Sequence, residues 1–170
     1  MKRLAFPLLV MLAVLSGVNG GEAIHEIIPS ETQVPMPEPD AERLNDYIIR
    51  FNPYRAWQLW PGKGRLYKGA EPHGKLLTTF VNDEAYRSIK NRTGMAYDSI
   101  IVQENYTSDK RFDALTVMYR IKGYHPAGGD WFWVMYAADG KARGSGKVEV
   151  CLRCHEKKKE NDYIWTGEVW

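Results

Sequence analysis

Four stretches between residues 99 and 150 decide the fold: Ser99-Ile-Ile-Val-Gln-Glu104, Ala114-Leu-Thr-Val-Met-Tyr-Arg-Ile-Lys122, Trp131-Phe-Trp-Val-Met-Tyr-Ala137 and Lys147-Val-Glu-Val150. Each is rich in β-branched and aromatic residues, reads with a period of two, and is bounded by polar or glycine-containing turns. Asp139-Gly140, between the third and fourth, is a strong hairpin signal. The pattern predicts an antiparallel meander. Upstream, Leu76 to Val81 reads as a further strand, and Asn82 or Asp83 can cap a short helix running to Lys90. Pro61-Gly-Lys-Gly64 and Glu71-Pro-His-Gly74 are turns. Asp40 is placed to cap a helix whose Leu44, Tyr47, Ile48 and Phe51 form one apolar stripe, and Pro53 ends it. The expectation is an α+β domain over residues 40–170, a mainly antiparallel sheet with a few packed helices.

Residues 1–39 stand apart from that domain. Met1-Lys2-Arg3 is a short basic region, and Leu4 to Val18 is apolar apart from Pro7, Ser16 and Gly17, the layout of a secretory signal over 1–23. The run falls short of the roughly 20 residues a membrane span needs. Residues 24–39 hold Pro29, Pro35, Pro37 and Pro39 and read as an extended, exposed leader. The expected location is the periplasm.

Composition excludes several classes. A net charge of +2 lacks the concentrated basic excess of a nucleic-acid binder. Six Trp, ten Tyr and five Phe are too many aromatics for a disordered chain. Two cysteines cannot build a disulfide scaffold or a four-thiolate metal cage. Asn91-Arg-Thr93 and Asn105-Tyr-Thr107 match glycosylation sequons, a tripeptide common by chance. Lys157, Lys158 and Lys159 read as a solvated face, or as a docking patch for an acidic redox partner.

The position of the two cysteines carries the chemistry. Cys151-Leu-Arg-Cys154-His155 is the attachment sequence of a c-type haem. Two thiols three positions apart on a helical turn reach the two vinyl groups of one porphyrin edge, and the adjacent imidazole supplies the proximal iron ligand. Three other readings compete. A thioredoxin-like dithiol needs a βαβ setting, whereas a meander precedes Cys151. Zinc needs two more ligands, and nothing places His73 or His125 in ligand spacing. A disulfide across two intervening residues would be strained. The residue on the iron's other face decides between electron transfer and ligand binding, and His73, Glu104, Met118 and His125 are the candidates.

The chain resembles the cytochrome P460 family from about Tyr54 to Tyr163. The resemblance is carried by Trp60-Pro-Gly-Lys-Gly-Arg-Leu-Tyr-Lys-Gly69, Glu71-Pro-His-Gly74, Thr78-Thr-Phe-Val-Asn-Asp83 and Ile100-Ile-Val-Gln-Glu-Asn-Tyr106. Further on it includes Thr116-Val-Met-Tyr119, Gly123-Tyr-His-Pro126, Asp130-Trp-Phe-Trp133, Cys151 to His155 and Asn161-Asp-Tyr163. It implies a mainly antiparallel β fold, often dimeric, with one covalent haem c held by Cys151, Cys154 and His155. Catalytic members of the family oxidise hydroxylamine and carry a lysine–porphyrin bond; Lys63, Lys68 and Lys75 lie in the region where that lysine would fall, with Lys68 the chosen candidate. Non-catalytic relatives bind nitric oxide or carbon monoxide in a phenylalanine-lined pocket, for which Phe80 is the candidate. The implied role is hydroxylamine oxidation with Glu104 as proton acceptor and a soluble electron acceptor, or nitric oxide binding, at an open distal position. The alternatives are a six-coordinate electron-transfer cytochrome and a haem-free exported binding module.

Overall fold

A computed structural model describes residues 34–170. The secretory signal expected over 1–23, and the first part of the leader over 24–39, lie outside the described residues. Among the described residues seven strands form one antiparallel sheet: β1 Gln58–Leu59, β2 Tyr67–Lys68, β3 Leu76–Val81, β4 Ile100–Tyr106, β5 Phe112–Arg120, β6 Trp131–Ala137 and β7 Ala142–Gly146. Their order is β1-β3-β4-β5-β6-β7, with β2 pairing the same edge of β3 as β1 but at its other end. Helices α1 Ala41–Asp46, α2 Asp83–Asn91 and α3 Glu149–His155 pack on it, so the fold is α+β. No helix among the described residues is long and apolar enough to cross a membrane.

Both faces of the sheet are apolar, because alternate residues of β3–β6 bury into separate cores. On the first face, Phe80, Ile100, Val102, Leu115, Val117, Tyr119, Phe132, Val134 and Tyr136 pack against Leu44, Tyr47 and Ile48 of the N-terminal helical segment. Met36, in the Pro-rich stretch, also packs here, and Tyr47 Oη donates to its sulfur. On the second face, Val81, Ile101, Trp131 and Trp133 meet Ala85 and Ile89 of α2, Tyr163, Ile164 and Val169 of the C-terminal tail, and Cys151 and Leu152 of α3.

Local signals explain most boundaries. Asp40 caps α1 by accepting from the backbone N–H groups of Glu42 and Arg43. Asn82, not Asp83, caps α2: its Oδ1 accepts from Ala85 N and also from Ile100 N, tying the helix start to β4. Asp139-Gly140 makes the expected hairpin, with Gly140 at φ 81°. Asn105, in one of the two sequons, is buried and bonded to the Ala114 carbonyl and Thr116, so it offers nothing to a glycan.

Two expectations fail. Phe51 does not complete the apolar stripe and is exposed, because α1 continues as a π-helical turn over Tyr47–Phe51, with Asn52 N bonding Tyr47 O. The wider i→i+5 turn rotates Phe51 away from Leu44 and Ile48. Lys147–Val150 is not a strand. The Asp139-Gly140 hairpin starts β7 at Ala142, and Gly146, opposite Trp133 at φ 99°, ends it. Glu149 and Val150 then fall in α3, which turns the chain back over the second face.

On the first face sits a buried charge. Glu104 accepts from Tyr54 Oη at 2.7 Å, Arg55 Nε at 2.9 Å and Tyr106 Oη at 2.6 Å. Burial pushes its pKa up, but these three donors outweigh burial and hold it below the ordinary carboxylate range. Burial, aided by Glu104, pushes the Tyr106 phenol up to about 12 and that of Tyr54 higher still. Removing the carboxylate in Glu104→Ala strands the buried Tyr54 phenol and the half-buried Tyr106 phenol and is expected to lower stability by roughly 2–4 kcal/mol in urea unfolding at pH 7. Because the folded pKa is depressed, the unfolded chain binds more protons as pH drops through the unfolded value of about 4.3, and stability falls until the folded pKa is passed. Glu104→Gln should therefore show a shallower loss of stability between neutral pH and that acid range than the native chain.

Candidate haem site

Helix α3 places Cys151, Cys154 and His155 at i, i+3 and i+4, one face of a single helical turn. Both cysteines are half-buried free thiols, and no side chain of α3 is fully buried. Burial pushes the Cys151 thiol up, helped by Cys154. The helix follows a hairpin strand of an antiparallel sheet, not the parallel βαβ setting of a redox dithiol. Among the described residues no three His, Cys, Asp or Glu side chains gather as an ion cage.

His155 is oriented by the polypeptide itself. Its Nδ1 lies 2.7 Å from the Tyr163 carbonyl oxygen, which fixes Nδ1 as the donor and leaves the Nε2 lone pair free. Its ring packs against Trp133 with centroids 4.7 Å apart. Burial lowers the pKa of His155 below the ordinary histidine value, although the bond to Tyr163 opposes this, so the neutral, ligating form is the one favoured.

The Tyr163 carbonyl is held by an unusual turn. Asp162 and Tyr163 both have positive φ, 51° and 66°. Aspartate tolerates that conformation better than most residues, whereas tyrosine there costs on the order of 1 kcal/mol or more. It persists because Asp162 is pinned on every side. Its Oδ2 accepts from Met95 N at 2.6 Å and pairs with Arg120 Nη1 at 3.1 Å, while its carbonyl accepts from Trp131 Nε1 at 3.0 Å. Arg120 also donates to the Met95 carbonyl. Asn161 ties the tail: its Nδ2 donates to the carbonyls of Ile164 and Gly167, and its Oδ1 accepts from Val169 N.

The sequence candidates divide by sheet face. His73 joins His155: the two imidazole centroids lie 6.2 Å apart at 87°. Burial lowers the His73 pKa as well. Met118 pairs with Trp133 in register and packs against the same core as Cys151 and Leu152. His125 opens the turn Pro126–Gly128 and is half-buried, and its Nδ1 has no partner among the described residues. Glu104 and Phe80 lie on the opposite face. Phe80 is wedged between Tyr54, centroids 5.2 Å apart, and the Arg65 guanidinium at 5.0 Å. Lys68 pairs with Leu76, which alternates with Phe80, so the register puts it on that far face too. Lys75 is exposed and paired with Glu71 at 2.6 Å, and Lys63 sits over the Tyr67 ring. A cleft of about 420 Å³ lined by Ile48, Tyr54, Arg55, Leu115 and Tyr136 also lies on the far face, away from Cys151 and His155.

The chain matches Cytochrome P460 over residues 52–166. It belongs to the cytochrome P460 family. Haem is therefore the implied cofactor, and the α3 side of the sheet fits it. A neutral imidazole presents a free nitrogen, two thiols flank it, and the buried Trp133 Nε1 beside it has no hydrogen-bond partner among the described residues, a donor left unmet. No curated protein matches the chain.

Sequence reading missed the support for His155. Asn161-Asp-Tyr163 belonged to the resemblance, but nothing in the tripeptide announced its left-handed pair. Asn161→Ala should release the tail, with an expected loss of roughly 2–3 kcal/mol in chemical unfolding for two buried bonds and one part-buried bond. Asn161→Asp, which sets a buried carboxylate oxygen against the Ile164 and Gly167 carbonyls in place of the donating amide, should destabilise at least as much as Asn161→Ala.

Proposed function

We propose that this is an exported c-type haem protein that exchanges single electrons with a soluble partner. In this reading Cys151 and Cys154 would hold the haem as thioethers, each S–H adding across one vinyl group, and His155 Nε2 would ligate the iron. The observation that carries it is the His155–Tyr163 bond, which directs Nε2 outward from an α3 turn bearing both thiols. Bound haem supplies a one-electron iron couple, and an iron site that binds small ligands where an axial position is open. The protein's own residues orient His155 and set how dry its surroundings are.

Electron exchange is favoured by exposure. A porphyrin joined to half-buried cysteines, on a helix with no fully buried side chain, would keep an edge close to solvent. Lys157 and Lys159 follow directly on the exposed surface, and Lys158 lies over the Trp165 ring. This charge run attracts an acidic partner at low ionic strength. Binding of nitric oxide is a second reading, supported by the apolar character of Trp133, Met118 and Leu152 around the motif, since a neutral diatomic molecule needs no base. Hydroxylamine oxidation has the least support, because Glu104 and Lys68 occupy the other face.

The test is expression in a periplasm equipped for haem attachment. Haem should stay with the polypeptide through denaturation in acidified organic solvent, and the double variant Cys151→Ala, Cys154→Ala should release it. Haem extracted from the unaltered protein would count against covalent attachment. Turnover of hydroxylamine with an added electron acceptor is expected to stay at the level of the buffer control.

A further inference from the structure

We propose that His73 is the second axial ligand, so that the iron is held between one histidine from the β2–β3 loop and one from α3. This rests on the haem reading above and goes beyond it by naming what closes the opposite axial position.

The distance is the first argument. A metal bound about 2 Å from each of two imidazole nitrogens, on opposite sides, separates the ring centres by about 6.3 Å. The His73 and His155 centroids are 6.2 Å apart. Contact alone brings His155 and Trp133 to 4.7 Å. The 87° between the two imidazole planes is compatible with this, since rotation about each metal–nitrogen axis is free.

The loop is built to hold His73 there. Its base is closed by Gly69 N to Lys75 O at 2.8 Å, and a turn inside it by His73 N to Ala70 O at 3.1 Å. Gly74 lies so close to β4 that a Cβ there would come 2.5 Å from the backbone N and O of Tyr106. A residue with a side chain at 74 would lift the loop and His73 with it. The His73 imidazole makes no hydrogen bond among the described residues, although the ring is partly buried. Among the four candidates for this position, Glu104 faces the other core, His125 begins a separate turn and Met118 packs beside Trp133 in the α3-side core, whereas the structure brings the His73 ring to that of His155.

The consequence is a six-coordinate iron, in which an added ligand must first displace His73. The experiment is the absorption spectrum of the purified holoprotein, ferric and ferrous, with carbon monoxide as probe. The native protein should be low-spin. His73→Ala should become high-spin, return to low-spin on adding free imidazole, and bind carbon monoxide at least about 10-fold more tightly, as expected where under a tenth of the native iron is open. His73→Met should keep six ligands and raise the reduction potential, which separates loss of a ligand from loss of the fold. Covalent haem that is high-spin in the native protein, or a His73→Ala variant that stays low-spin without imidazole, overturns His73 ligation alone. A protein without covalent haem overturns the haem reading and this one with it.

Discussion

One hydrogen bond, from His155 Nδ1 to the Tyr163 carbonyl, is the contact on which the functional side of this protein depends. It selects the tautomer, aims Nε2 away from the tail and joins α3 to the C-terminal segment. Its acceptor exists only because two consecutive residues adopt left-handed backbone, and that backbone is held by Arg120, Met95 and Trp131 through Asp162. Arg120 and Trp131 are paired on neighbouring strands. The orientation of one imidazole is thus transmitted from the paired ends of β5 and β6.

The sheet also separates two kinds of chemistry. Period-two alternation sends Glu104, Phe80 and Tyr54 to one core and Trp133, Met118 and Cys151 to the other. Glu104 is saturated by three donors, so it is a structural carboxylate and a poor proton acceptor for a substrate. On the α3 face the groups nearest the haem motif are aromatic, thioether and imidazole. These suit an iron centre that changes charge by one electron more than a site that moves protons on and off a substrate.

Much of this was readable in the chain. The meander, the caps at Asp40 and Asn82, the Asp139-Gly140 hairpin and the haem motif depend on neighbours within a few residues, where propensity and spacing act directly. The π-turn that exposes Phe51 was not readable, because a stripe at i, i+3, i+4 and i+7 presumes 3.6 residues per turn. Val148 and Val150 looked like strand residues; hairpin register and the conformation of Gly146 sent them elsewhere. Alternation also shows that Glu104 and Gln103 face opposite ways without saying which side faces the haem motif. His73 and His155 are far apart in sequence, and only the folded β2–β3 loop brings their rings together.

The most direct test is iron-edge anomalous diffraction from crystals of the coloured, purified protein. A single iron peak about 2 Å from His155 Nε2, with Nδ1 still bonded to the Tyr163 carbonyl, is the predicted result. Iron bonded through Nδ1, or located away from α3, would contradict it.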